Sequence, residues 1–95
     1  MPSPNLITRP SIIVTGCSSG IGAHCARALK AEGWRVFATV RREEDTAPLE
    51  ADGVEVLLMD YTKPETIAVL VETVLARTDG RLDALFNNGA YGQAG

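Results

Sequence analysis

The stretch IIVTGCSSGIG, Ile12 to Gly22, decides the fold. Its first four residues are all β-branched, which suits a strand buried on both faces, as in a parallel sheet. The next seven carry three glycines and two serines at the spacing G-x-x-x-G-x-G. After Gly20 the apolar period changes. Ile21, Cys25, Ala28 and Leu29 share one helical face, His24, Arg27 and Lys30 share another, and Gly33 supplies a left-handed stop. A strand therefore passes through a glycine turn directly into a helix. First-turn N–H groups have no partners within the helix and the helix dipole adds partial positive charge, so such a start holds phosphate when no side chain blocks the way. In this reading Gly16 makes the turn, Gly20 admits a pyrophosphate to the backbone, and Gly22 lets the helix pack on the sheet. Ser18 and Ser19 offer hydroxyl donors. The competing reading is a structural turn whose serines serve solubility; the strand before it and the helix after it favour phosphate binding. A nucleoside-triphosphate loop is excluded, because no Gly-Lys-Ser/Thr follows.

Outward from this unit the chain alternates. WRVFATV, residues 34–40, predicts a second strand, and RREEDTAPLEADG a short helix with an acidic first turn, broken near Pro48 and closed by Gly53. VEVLLM, residues 54–59, predicts a third strand. A longer helix follows, with Thr62 and Glu65 as a capping-box pair, Pro64 in the first turn and an apolar stripe of Ile67, Leu70, Val71, Val74 and Leu75, ending near Gly80. LDALF, residues 82–86, predicts a fourth strand running into NNGAYGQAG, and the first ten residues, with three prolines, an extended lead-in. Four strands alternating with three helices through short connections define an α/β fold, the N-terminal half of a Rossmann-like doubly wound parallel sheet with right-handed crossovers. Trp34 and Phe37 are expected as core or sheet-cover residues.

A chain of 95 residues accommodates one small domain. With 45% hydrophobic and 22% charged residues and a net charge of -3, it has the composition of a soluble globular protein and lacks the basic excess that attracts nucleic acid. Its apolar runs are too short to span a bilayer and its first residues lack a signal-peptide pattern, so no membrane role and a cytoplasmic location are expected. Cys17 and Cys25, with His24 the only histidine, form neither a metal-ligand pattern nor a CxxC pair, and both read as reduced thiols. His24 reads as a solvent-facing helix residue. Cys17, close to a helix N-terminus that can lower a thiol pKa, raises the further reading of redox regulation, set against a small side chain accommodated in the loop.

TGCSSGIG resembles the TGxxxGIG signature of the short-chain dehydrogenases/reductases at every fixed position. MDY at 59–61 resembles the family's acidic residue after the third strand, and NNGA at 87–90 its Asn-Asn-Ala-Gly after the fourth. The three motifs span essentially the whole chain. The resemblance implies that Gly16, Ser18, Ser19, Gly20, Ile21 and Gly22 take the pyrophosphate of a dinucleotide. It also implies that Asp60 bonds the adenine amino group, that Tyr61 flanks the ring, and that Asn88 lines the nicotinamide-side ribose. One departure is Gly89-Ala90 where the family has Ala-Gly. A methyl at 90 crowds the ribose, or the loop shifts so that Gly89 makes the close approach; the residues leave both open.

An NAD-preferring site of this type carries an acidic residue at the end of the second strand, about 20 residues past the glycine loop, to accept from the ribose 2'-hydroxyl. Val40 stands there, followed by Arg41 and Arg42, whose guanidinium groups suit a 2'-phosphate. The expected cofactor is therefore NADP rather than NAD. The alternative makes RREED a solvated run in which the arginines pair with Glu43, Glu44 or Asp45.

The family's chemistry uses a serine, a Tyr-x-x-x-Lys pair and a further asparagine beyond the fourth strand, where lysine and oxidised nicotinamide lower the tyrosine pKa. Glu65 stands four residues after Tyr61 and Gly95 four after Tyr91, so neither tyrosine forms the pair, and no catalytic residue is assigned. The expectation is an NADP(H)-binding part of an oxidoreductase acting on a carbonyl or alcohol substrate, catalytically silent and marginally stable alone, with an apolar edge that invites self-association. The resemblance further implies dimers or tetramers built through later helices. Competing expectations are a non-catalytic dinucleotide-binding module and an inactive self-associating fragment.

Overall fold

A computed structural model describes residues 9–18 and 20–88. Its elements are β1 (Ser11–Val14), α1 (Gly20–Ala31), β2 (Arg35–Val40), a 3-10 turn (Glu43–Asp45), α2 (Thr46–Ala51), β3 (Glu55–Leu58), α3 (Pro64–Thr78) and β4 (Ala84–Phe86). All strand pairs are parallel and the order is β3-β2-β1-β4, the open sheet expected from the alternation.

The two faces of the sheet build two cores. Ile12, Val14, Val36, Ala38 and Val40 point to the side of Ala26 and Leu49, hence of α1 and α2. Ile13 and Phe37 point the other way, against Met59 and against Leu70 and Val74 of α3. The period of two along β1 and β2 thus feeds both faces, which is why their residues are apolar almost without interruption. Phe37 is fully enclosed, and Trp34 packs at the margin of the first cluster. At the N-terminal ends of the strands, Arg35 pairs with Glu55 at 2.7 Å, Arg77 pairs with the same carboxylate at 3.2 Å, and Arg35 Nη1 donates to the Arg77 carbonyl at 2.9 Å. Burial pushes the Glu55 carboxyl up, but the hydrogen bonds and charges of Arg35 and Arg77 outweigh it and hold it below its ordinary value.

Several local expectations are corrected. The sheet-facing side of α1 is Gly22 and Ala26, while Ile21 is 69% exposed and Ala28 also faces out. The close approach at Gly22 fixes the rotation of the helix and turns Ile21 outward. Pro48 does not break α2, because it occupies the first turn, where its missing N–H has no intrahelical partner to lose. The capping box at the start of α3 does not form: Lys63 occupies the N-cap position without a side-chain cap, and the Thr62 hydroxyl donates to Asp60 Oδ1 at 2.7 Å. Only Leu70 and Val74 of the expected stripe are buried, with Val71 and Leu75 partly open. The left-handed stops stand as expected at Gly33 and Gly53. Among the described residues β4 is a sheet edge, and its Leu85 is exposed. The proline-rich lead-in before Arg9, Ser19, and the Gly89-Ala90 departure lie outside the described residues.

Candidate functional site: the carboxyl ends of the strands

Parallel pairing delivers the carboxyl ends of all four strands to one edge, and the order reverses beside β1, where β2 lies on one side and β4 on the other. Open sheets of this type bind ligands in the crevice at that reversal. The structure brings there the glycine loop after β1, Arg41 and Arg42 after β2, Asp60 and Tyr61 after β3, and Asn88 after β4.

Gly16 turns the chain out of β1 with φ +70, a value costly for any residue with a Cβ. The turn is tied to β2: Gly16 N–H donates to Thr39 Oγ1 at 3.3 Å, and Cys17 N–H to the Thr39 carbonyl at 2.8 Å. From the other side Asn88 Nδ2 donates to the Gly16 carbonyl at 3.2 Å. The remaining two glycines differ in kind. A Cβ on Gly22 would lie 2.5 Å from the Gly16 carbonyl oxygen and 2.9 Å from Asn88 Nδ2, whereas one on Gly20 would meet nothing within 4 Å. Gly22 is therefore required by the protein's own packing and Gly20 is not. The exposed backbone at Gly20, the first residue of α1, is open to a ligand, as the phosphate reading requires. Ser18 is exposed beside it, and its Oγ accepts from the Arg41 N–H at 3.4 Å, linking the loop to the end of β2.

Cys17 is buried within the loop, its thiol directed at the Val14 carbonyl at 3.2 Å and the Gly22 carbonyl at 3.6 Å. Burial pushes this thiol up to about 11, against a lowering hydrogen bond from the Thr39 backbone. This favours the small side chain accommodated in the loop over redox activation at the helix terminus: the thiol is desolvated and packs the loop. At pH 8 only on the order of one Cys17 in a thousand is thiolate, and iodoacetamide treatment of the native protein is expected to leave it unmodified while alkylating the half-exposed Cys25. Peptide mass spectrometry checks this; comparable labelling of both cysteines would contradict the buried placement.

Val40, at the position where an NAD site carries an acid, is buried and apolar. The two arginines after it are not equivalent. Arg42 lies 3.7 Å from both Glu44 and Asp45, so the pairing alternative holds for Arg42. Arg41 makes no ion pair within 4.0 Å among the described residues. Asp60 is held below its ordinary value first by the Thr62 N–H and then by the Thr62 hydroxyl, with the charges of Lys63 and Arg41 adding. Its Oδ1 carries both Thr62 bonds, at 2.9 and 2.7 Å.

Two participants escaped the sequence reading. Asn87 Oδ1 accepts from the Thr15 hydroxyl at 3.0 Å and from the Tyr61 hydroxyl at 2.8 Å, joining the ends of β1, β3 and β4. Thr39 anchors the glycine turn. Asn87 was visible in the paired asparagines, yet nothing in the local sequence said which of the two faces Thr15. Among the described residues no cluster of three or more His, Cys, Asp or Glu could hold a metal ion, and no helix is long and apolar enough to cross a membrane.

Comparison with known proteins agrees with this geometry. The short chain dehydrogenase family model matches residues 10–95, and the chain belongs to that family. An uncharacterized oxidoreductase of Escherichia coli, YbbO, is 36% identical over 89 residues, covering 94% of this chain and 33% of that protein. The NADPH-dependent 1-acyldihydroxyacetone phosphate reductase of Saccharomyces cerevisiae is 37% identical over 81 residues, covering 80% of this chain and 27% of that protein. An actinorhodin polyketide ketoreductase variant solved with NADPH superposes with a TM-score of 0.72 at 38% identity, covering 84% of this chain and 33% of that one. The chain thus spans about a third of the length of the curated relatives it matches. Its sheet is of the Rossmann-like α/β type seen in these structures.

Proposed function

We propose that the chain binds NADP(H) and is the cofactor-binding part of an oxidoreductase that moves a hydride between the nicotinamide and a carbonyl or alcohol substrate. The observation that carries this reading is the contrast between two glycines: Gly22 is closed by its own protein neighbours, and Gly20 is bare with space in front of it. An ordinary structural turn needs the first and has no use for the second. The residues at the strand ends fit a dinucleotide: backbone N–H groups at Gly20, Ile21 and Gly22 with the Ser18 and Ser19 hydroxyls for the pyrophosphate, Asp60 and Tyr61 for adenine, and Asn88 for the distal ribose. Hydride transfer is the chemistry that the nicotinamide would supply when bound; these residues would hold the dinucleotide at the carboxyl ends of the strands. Arg41, with no ion pair of its own among the described residues, is assigned to the 2'-phosphate, with Arg42 beside it. The names of two similar proteins carry NADPH, in line with this assignment.

Calorimetric titration with NADP and NAD tests the reading. NADP is expected to bind more tightly, and Arg41→Ala to weaken it on the order of tenfold through loss of a charge-assisted hydrogen bond, with NAD nearly unaffected. An equal loss for both cofactors would remove Arg41 from the 2'-phosphate site. Binding of neither cofactor would sink the whole reading.

A further inference from the structure

Asp45 is an acid in a position where its usual work is not done. It stands at the N-cap of α2, where a carboxylate ordinarily accepts a first-turn N–H, but the 3-10 turn runs directly into the helix and places Asp45 in the helical region (φ -88, ψ -3) with no side-chain cap. Its Oδ2 is shut off from solvent and has no hydrogen-bond partner among the described residues. A buried acceptor in that condition calls for an explanation. The charge nearest to it is Arg42 Nε at 3.7 Å, too long for a hydrogen bond but close enough for attraction. Glu44 attracts the same guanidinium from 3.7 Å, although at 71% exposure it is well screened. Asp45 also lines a pocket of about 160 Å³ together with Cys17, Ser18 and Gly20, on the flank of the glycine loop.

We infer that Asp45 is a positioning residue for cofactor choice: its carboxylate holds the Arg42 guanidinium back from the 2'-phosphate position, so the protein discriminates NADP from NAD less strongly than two arginines would allow. The inference rests on the NADP(H) reading above. Binding a 2'-phosphate through Arg42 requires breaking its attraction to Asp45, and NAD, lacking that phosphate, makes no such demand. The effect is therefore confined to one of the two cofactors, which separates it from any general loosening of the loop.

The experiment is calorimetric titration of the purified protein with NADP and with NAD at low ionic strength, for the unaltered sequence, Asp45→Asn, Arg42→Ala and the double variant. Asp45→Asn is expected to tighten NADP about two- to fivefold, the range of a partly exposed ion pair, and to leave NAD unchanged. In the Arg42→Ala background the same substitution is expected to have no effect, and Asp45→Glu, which keeps the charge, to retain the original NADP to NAD ratio. An NADP gain that persists without Arg42 would mean direct repulsion of the phosphate and overturn the positioning role. Equal shifts for both cofactors, or no shift in a folded Asp45→Asn variant that binds NADP, would overturn it as well. If the unaltered protein binds neither cofactor, the NADP(H) reading fails and this inference falls with it.

Discussion

Gly22→Ala is expected to lower the unfolding free energy by about 2 kcal/mol and to abolish measurable dinucleotide binding. The added methyl would sit 2.5 Å from the Gly16 carbonyl oxygen, 3.0 Å from its carbon and 2.9 Å from Asn88 Nδ2. The first two atoms are backbone, held by a turn at φ +70 and by two bonds to Thr39, so no side-chain rotation relieves the contact. Relief requires the loop to move away from α1. That displacement would also break the 3.2 Å bond from Asn88 and carry the Cys17 thiol off the Val14 and Gly22 carbonyls, so geometry fails together with stability. Gly20→Ala provides the contrast. Its methyl would meet nothing within 4 Å beyond its own helix and chain neighbours, and the substitution is expected to leave the unfolding midpoint unchanged or slightly raised while weakening cofactor binding on the order of tenfold or more. Urea unfolding followed by circular dichroism, paired with titration, reads both variants. A Gly22→Ala protein with unchanged stability would deny the close approach, and a Gly20→Ala protein with normal affinity would place the pyrophosphate elsewhere.

Legibility divides along the range of the interactions. The strand, the glycine turn and the helix after it were readable because each is set by local chemistry: β-branched residues in β1, a positive φ at Gly16, and a helix beginning at Gly20. The alternation of elements gave the parallel sheet for the same reason. What the local pattern missed was rotation and partner choice. Ile21 is apolar and at helical spacing from Cys25, yet it is Gly22, with no side chain to count, that sets which side of α1 meets the sheet. Thr62 and Glu65 match a capping box, but Asp60, two residues upstream, captures the Thr62 hydroxyl first. Asn87 is joined to Thr15 across 72 positions and to Tyr61 across 26, pairings that exist only once the sheet has formed. The arginines looked alike in sequence; the 3-10 turn brings Glu44 and Asp45 to Arg42 alone.

Phe37→Ala is expected to cost about 3–5 kcal/mol, a large share of the roughly 5–15 kcal/mol that holds a small domain together. The ring is fully enclosed on β2, between β1 and β3, and packs in the cluster of Ile13, Met59, Leu70 and Val74. The cluster is where α3 reaches the sheet, so the cavity would open at the helix–sheet contact itself. The Arg35 guanidinium, 5.0 Å from the ring centroid, would also lose its aromatic partner. The consequence extends to the site, since β2 carries Thr39, which anchors both Gly16 and Cys17, and leads into Arg41. Loosening this strand therefore weakens the glycine loop from beneath, and NADP affinity is expected to fall in parallel with stability. Leu85→Ala, on the exposed edge strand, serves as the control and is expected to cost under about 1 kcal/mol with little effect on binding. Denaturant titration of the two variants decides the matter: a Phe37→Ala cost as small as that of Leu85→Ala would mean that the α3 face of the sheet is not the core that supports the loop.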